Sequence, residues 1–242
     1  GGEKCPFDLI AGKFYLPFGS FESYMISDPL TLDIGEVHET ALQVGIESHD
    51  IYGSAFVFNG DVDEAGEDDD HINNFGANAG FVMEFDAVNL NIGLSYINNL
   101  IEADSWDGVL EDEDWVLSEF VPGVGAQAIL TIGPVVLIAE YTAALDDIEW
   151  LDAEGTAICE DAISAWNVEA GYSFALAGKE ATVAVGYQGT DKAYNRLAET
   201  RYVGTIGIGI YKQTVLAFEY LHDIFENEDE IDVVTAQLAI EF

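Results

Sequence analysis

Residues 232–242 alternate between two kinds of side chain. Val234, Ala236, Leu238, Ile240 and Phe242 make one apolar set, while Thr235, Gln237 and Glu241 fall in the other. Successive side chains of a strand point to opposite faces. This period of two therefore predicts a strand that is apolar on one face and polar on the other. The same rhythm recurs near 7–17, 38–48, 51–59, 73–85, 87–98, 122–132, 134–145, 163–176, 180–190, 199–211 and 213–223. Each segment has about the length that a tilted strand needs to cross a bilayer. No run of 18 or more uncharged apolar residues occurs, which excludes a transmembrane helix.

The connections alternate in length. Those at 48–50, 86, 133–134, 177–179 and 212 are very short, whereas those at 18–37, 60–72, 99–121, 146–162, 191–198 and 224–230 are long. Short periplasmic turns and long extracellular loops are the pattern of outer-membrane barrels, and an even strand number places both termini on the short-turn side. A soluble β-sandwich, which composition alone allows, has no reason to alternate its links so regularly. The expected fold is all-β. It is a single domain over 1–242, a closed antiparallel transmembrane β-barrel of 12 strands, with the first strand (6–17) paired to the closing strand (231–242). Closure is expected because an open edge in lipid leaves backbone groups unpaired.

Face assignment sharpens this picture. Val88, Leu90, Ile92, Leu94 and Tyr96 share one register, as do Trp166, Val168, Ala170, Tyr172 and Phe174. Tyr96, Tyr141, Tyr187 and Tyr220 end strands just below the long loops, where Phe75, Trp166 and Tyr202 begin others; Phe85, Phe174 and Phe242 fall at the opposite level. Two aromatic rings bracketing an aliphatic band match the two lipid interfaces. The other register is small or polar: Asn89, Asn91, Gly93 and Ser95, or Asn167, Glu169, Gly171 and Ser173. A solid barrel would use bulky side chains there, so these residues predict a narrow, water-filled lumen passing a small solute.

Charge narrows the partners. The chain has 242 residues, with 46 acids against 7 bases and a formal net charge of -39. That balance repels nucleic acid and anionic surfaces. It fits either a saline habitat or a functional preference for cations. The segments 61–70, 99–121, 146–162 and 224–230 hold seven, eight, seven and four acids, more than half of the 46. The expected setting is a bacterial outer membrane. Lipid and lipopolysaccharide are then the surroundings, and both a monomer and an oligomer are compatible. The front, Gly1-Gly2-Glu3-Lys4, has no apolar signal region, as in a processed or truncated chain. Cys5 and Cys159 fall on opposite sides of the hydrocarbon band, too far apart for a disulfide.

Carboxylates at mid-strand are costly against lipid, so Glu140, Glu169 and Glu219 are expected to line the pore with Gln127. Lys13 and Arg201 are the expected cationic counterparts. Such a set makes either a cation-selecting constriction or an ion-pair brace of the wall. Phe18, Phe21, Tyr24, Met25, Ile26, Leu30, Leu32 and Ile34 are too apolar for a solvated loop. Residues 18–37 are therefore expected to fold into the mouth, with Phe21, Tyr24 and Met25 as a constriction. Asp61, Asp63, Asp68, Asp69 and Asp70 are candidate ligands for divalent cations, although the spacing of a calcium loop is missing. His38, His49, His71 and His222 sit in no recognisable catalytic order, so neither an enzyme nor a cofactor is expected.

The segments Gly12-Lys13-Phe14-Tyr15-Leu16-Pro17-Phe18-Gly19, Met25 to Leu32, Gly35-Glu36, Glu39 to Gly45 and Tyr52 to Gly60 resemble the LbtU-like siderophore porin family. The likeness is distinctive over about the first 60 residues. It implies an outer-membrane barrel tied to uptake of iron–siderophore complexes, whose members often carry a coiled-coil-like N-terminal stretch that this chain lacks. The expected function is a passive channel with a narrow, cation-preferring lumen. The rival is a non-conducting barrel whose acidic loops serve adhesion, or bind matrix or cations.

Overall fold

A computed structural model of the chain describes residues 6–62, 64–66, 72–106, 115–152 and 154–240. Its long strands are β1 (Phe7–Tyr15), β2 (His38–Ser48), β3 (Ile51–Phe58), β4 (Asn74–Phe85), β5 (Val88–Ile97), β7 (Gly123–Ile132), β8 (Val135–Ala144), β11 (Ser164–Leu176), β12 (Lys179–Asp191), β13 (Thr200–Tyr211), β14 (Thr214–Ile224) and β15 (Glu230–Ile240). They form one 12-stranded sheet in chain order, and every recorded ladder is antiparallel. Each anticipated segment holds one of them. Three short strands that the alternation did not signal, β6 (Val116–Leu117), β9 (Ile148–Leu151) and β10 (Ala157–Glu160), make a second sheet within the long connections.

The hairpins at one end have two-residue links: 49–50, 86–87, 133–134, 177–178 and 212–213. Every one carries a residue at positive φ: His49 (57°), Asp86 (48°), Gly133 (56°), Ala177 (50°) with Gly178 (76°), and Gln213 (56°). Left-handed backbone at the link matches the right-handed twist of the flanking strands.

The two faces of the sheet differ. On β8, Ile138, Glu140 and Thr142 are buried while Leu137 and Tyr141 are exposed. The covered side is called the inner face below. Its counterpart is an apolar outer face, with Val44, Phe75, Leu94, Val168, Val185, Phe218 and Leu238 exposed. The apolar core lies elsewhere, at the long-connection end. There Leu16, Phe18, Leu30, Ile34, Phe58, Ile97, Leu100, Ile101, Leu117, Ile148, Trp150 and Ile163 pack together. Trp150 is flanked by Trp106 and Trp115, with ring centroids 6.1 Å away in each case. Arg196 stacks over Trp106 and holds Glu160 with both terminal nitrogens, at 3.0 and 2.7 Å.

Among the described residues, β1 pairs only with β2 and β15 only with β14. The ladder expected between the first and closing strands is not recorded. Inner-register residues along this seam are mostly small or polar, such as Gly12, Thr235 and Gln237, so little packing draws the edges together. Water satisfies unpaired edge groups as lipid does not.

Candidate functional site

One segment lies across the inner face. It leaves β1 at Tyr15, and its ends are pinned by burial: Leu16 and Phe18 on one side, α1 (Leu30–Asp33) with Ile34 and Val37 on the other. Between these pins, residues 19–28 form a strap without regular structure. A strap with no ladder must find other acceptors for its N–H groups. Three carboxylates supply them. Glu140 on β8 accepts from the backbone N–H of Ser20 (2.6 Å) and Phe21 (3.1 Å), and from the Thr31 hydroxyl (3.0 Å). Glu169 on β11 accepts from the Tyr24 N–H (2.8 Å), the Ser23 hydroxyl (2.7 Å) and the Asn167 amide (3.1 Å). Glu219 on β14 accepts from the Ile26 and Ser27 N–H groups. The three carboxylates are 5%, 1% and 3% exposed. The strap therefore occupies their oxygens and keeps solvent from them.

The strap's side chains also meet the wall. Tyr24 rests on Gly171, where an added Cβ would approach its ring to 3.0 Å, and the Met25 methyl lies against Gly186. Phe21, at φ 54°, turns towards Gly35 beside Thr142. Burial, with Glu22 and Glu169 nearby, raises the Tyr24 hydroxyl above its usual pKa. Asp33 is pushed up to about 6, chiefly by burial.

Hydrogen-bonded rows order the rest of the face. Gln127, Glu140, Asn167, Gln188, Arg201 and Asp223 are consecutive cross-strand partners on β7, β8, β11, β12, β13 and β14. Arg201 is on this row but braces none of the three glutamates. Its Nε and Nη2 grip Asp223 at 2.7 and 2.9 Å, and its Nη1 donates to the Asp28 carbonyl at 3.1 Å. Lys13 departs further from expectation. It pairs with Thr40 and shares the register of Leu9, Ala11 and Tyr15, while Phe14 and Gly12 take the inner register. Its side chain belongs to the outer face, because the residues flanking it alternate there; a cation in an apolar segment invites inward placement, and the pairing overrules it.

A second hub lies at the long-connection end. Glu102, 5% exposed, accepts from the Asp61 N–H (3.0 Å) and the Asn74 and Asn99 amides (3.1 and 3.2 Å). Burial pushes its carboxyl up to about 7. Asp61 thus contributes its backbone here. Asp63, Asp68, Asp69 and Asp70 lie outside the described residues. Among the described residues no cluster of three or more acidic, His or Cys side chains is arranged to hold a metal. Cys159 is free and exposed, and Cys5 lies outside the described residues. Sequence reasoning passed over Glu102, Asn74, Thr31 and Tyr52. For Glu102 the one signal was its place after the apolar pair Leu100-Ile101. For Tyr52 the sequence offered no signal, since its register on β3 mixes Ser54 with Phe56 and Phe58.

No family model matches the chain. It is 29% identical over 237 residues to a UPF0422 protein of Coxiella burnetii, covering 96% of this chain and 50% of that protein. UPF0422 proteins of Legionella pneumophila strains Lens and Paris are each 26% identical, over 92% of this chain and 44% of theirs. The chain thus spans about half the length of these relatives or less. Among solved structures, the outer membrane channel DcaP of Acinetobacter baumannii aligns with a TM-score of 0.57 at 13% identity, over 95% of this chain and 70% of that one. A NanC porin aligns at 0.40 and 9% identity. The likeness to DcaP is one of fold: this chain's own 12-stranded antiparallel sheet follows the course of that chain's sheet.

Proposed function

We propose that this chain is the membrane-spanning part of an outer-membrane channel, narrowed by the strap at residues 19–28. One observation carries the reading. Three carboxylates on three different strands hold a single segment of backbone across the inner face. Buried carboxylates are costly, and a wall needing only solidity would fill with apolar side chains. Spending three of them to fix a strap across the face makes sense where the space beneath must be partly closed. In a bilayer the exposed outer face meets lipid, the aromatic levels meet the two interfaces, and β1 closes against β15.

This reading moves ion preference away from Glu140, Glu169 and Glu219. They are covered, and their oxygens are in use. Preference for cations over anions then comes from the acidic connections and the net charge of -39. Siderophore passage remains what the early segments imply by resemblance; no residue of the site is specific to such a cargo.

The test is planar-bilayer conductance of purified chain, with reversal potentials in a KCl gradient. Discrete currents with cation preference are expected, and deletion of residues 20–27 should enlarge them. Absence of current in both wild type and deletion, with the sheet intact by circular dichroism, would refute the channel.

A further inference from the structure

The strap divides the inner face into two unlike halves. Beneath it, Glu140, Asn167, Glu169 and Gln188 are almost fully buried. Away from it, Gln43, Tyr52, Ser54, Asn78, Asn91 and Gln127 on β2–β5 and β7 are partly exposed. None of these six carries a charge, and the carboxylates of Asp8, Glu47 and Glu84 share their register, Glu47 directly opposite Tyr52.

Tyr52 organises this open half. Its ring crosses Gly80 and its hydroxyl ends beside Gly93, and the tyrosine leaves no room for a Cβ at Gly80 and little at Gly93. Gly80 and Gly93 face each other across the β4–β5 ladder. Two glycines at that spot let the ring run along the wall. The Tyr52 hydroxyl donates to Asn91 Oδ1 (3.0 Å) and accepts from Gln127 Nε2 (3.4 Å). Next to it, the Ser54 hydroxyl donates to Asn78 Oδ1 (2.7 Å). These bonds fix one end of each amide. Among the described residues, the amide NH2 groups of Asn78 and Asn91 and the carbonyl of Gln127 have no protein partner.

We propose that this half of the inner face is a binding track for a hydroxyl-rich solute of carbohydrate type. The proposal rests on the channel reading and names its cargo. Oriented amides offer donors and acceptors side by side, which is what a run of hydroxyls requires. The tyrosine adds an apolar surface for the C–H side of a sugar ring. An anion is repelled by the charge of the whole molecule and by Asp8, Glu47 and Glu84 on the same register.

The experiment uses the whole chain in proteoliposomes and planar bilayers, with glucose and glucuronate as size-matched probes. Glucose should drive vesicle swelling faster than glucuronate, and should reversibly reduce the KCl current. Tyr52→Leu and Asn91→Leu should each weaken that reduction about fivefold, the size of one lost hydrogen bond or contact, with folding verified by circular dichroism. A KCl current indifferent to glucose, faster entry of glucuronate, or variants as sensitive as wild type would overturn the proposal while leaving the channel standing. No KCl current in the wild type would overturn this track, and its absence from the strap deletion as well would remove the channel reading with it.

Discussion

Glu169 has three donors around it and 1% of its surface exposed. Such a carboxylate is stable only while its partners stay. Glu169→Gln keeps the shape but offers an amide NH2 to a backbone N–H, so the strap should loosen at a cost of about 2 kcal/mol. The measurable result is lower stability in urea and a noisier, larger conductance. Glu102 gives the corresponding pH dependence. Its carboxyl is raised from 4.5 to about 7, so the packed connections bind its proton more tightly than loosened ones do. The stabilisation is complete below about 4.5 and is lost as pH rises through about 7. Hydrogen exchange at residues 60–62 and 99–102 should be slower at pH 5 than at pH 8 after correction for intrinsic rates. Glu102→Gln should abolish that difference. At the tight links the relevant quantity is backbone strain. Ala177 at φ 50° and Gln213 at φ 56° sit where an L side chain costs about 1 kcal/mol, and Gln213→Gly should recover roughly that amount in urea denaturation.

The strands were legible in the sequence because each has a face to hide and a face to wet. That need imposes a period of two even where the hidden face meets no core. The short links were legible for a related reason: two residues leave no freedom beyond a left-handed turn. The strap was legible as an apolar anomaly, but its manner of attachment was not. Alternation placed Glu140, Glu169 and Glu219 on the inner face without saying what they bind, because their partners are backbone N–H groups more than 100 residues away, which side-chain chemistry does not announce. Lys13 failed for the opposite reason, since its charge argued for one face and its strand register decided the other. The short sheet of β6, β9 and β10 escaped because runs of two to four residues cannot display a period. At this scale the strap is the element to remove. Deleting residues 20–27 should raise conductance while preserving the circular dichroism of the sheet, since no ladder runs through it.

For the whole molecule, the placement of apolar side chains is the governing fact. The core sits at one end, and the flanks of the sheet present bare aliphatic residues. On the channel reading, a lipid medium would supply the missing partner for the flanks and make unpaired edges intolerable. Backbone amides of β1 and β15 should therefore exchange slowly in lipid vesicles. Fast exchange at both edges in lipid would show that the sheet stays open. The strap also carries a consequence for biogenesis. Its anchors lie on β8, β11 and β14, which precede the closing strand β15 in the chain. On the channel reading, a wall built in chain order would gather all three holding points before its last strand is laid down. No finished opening would then stand without its stopper, and the order of the chain itself would guard against leakage during construction.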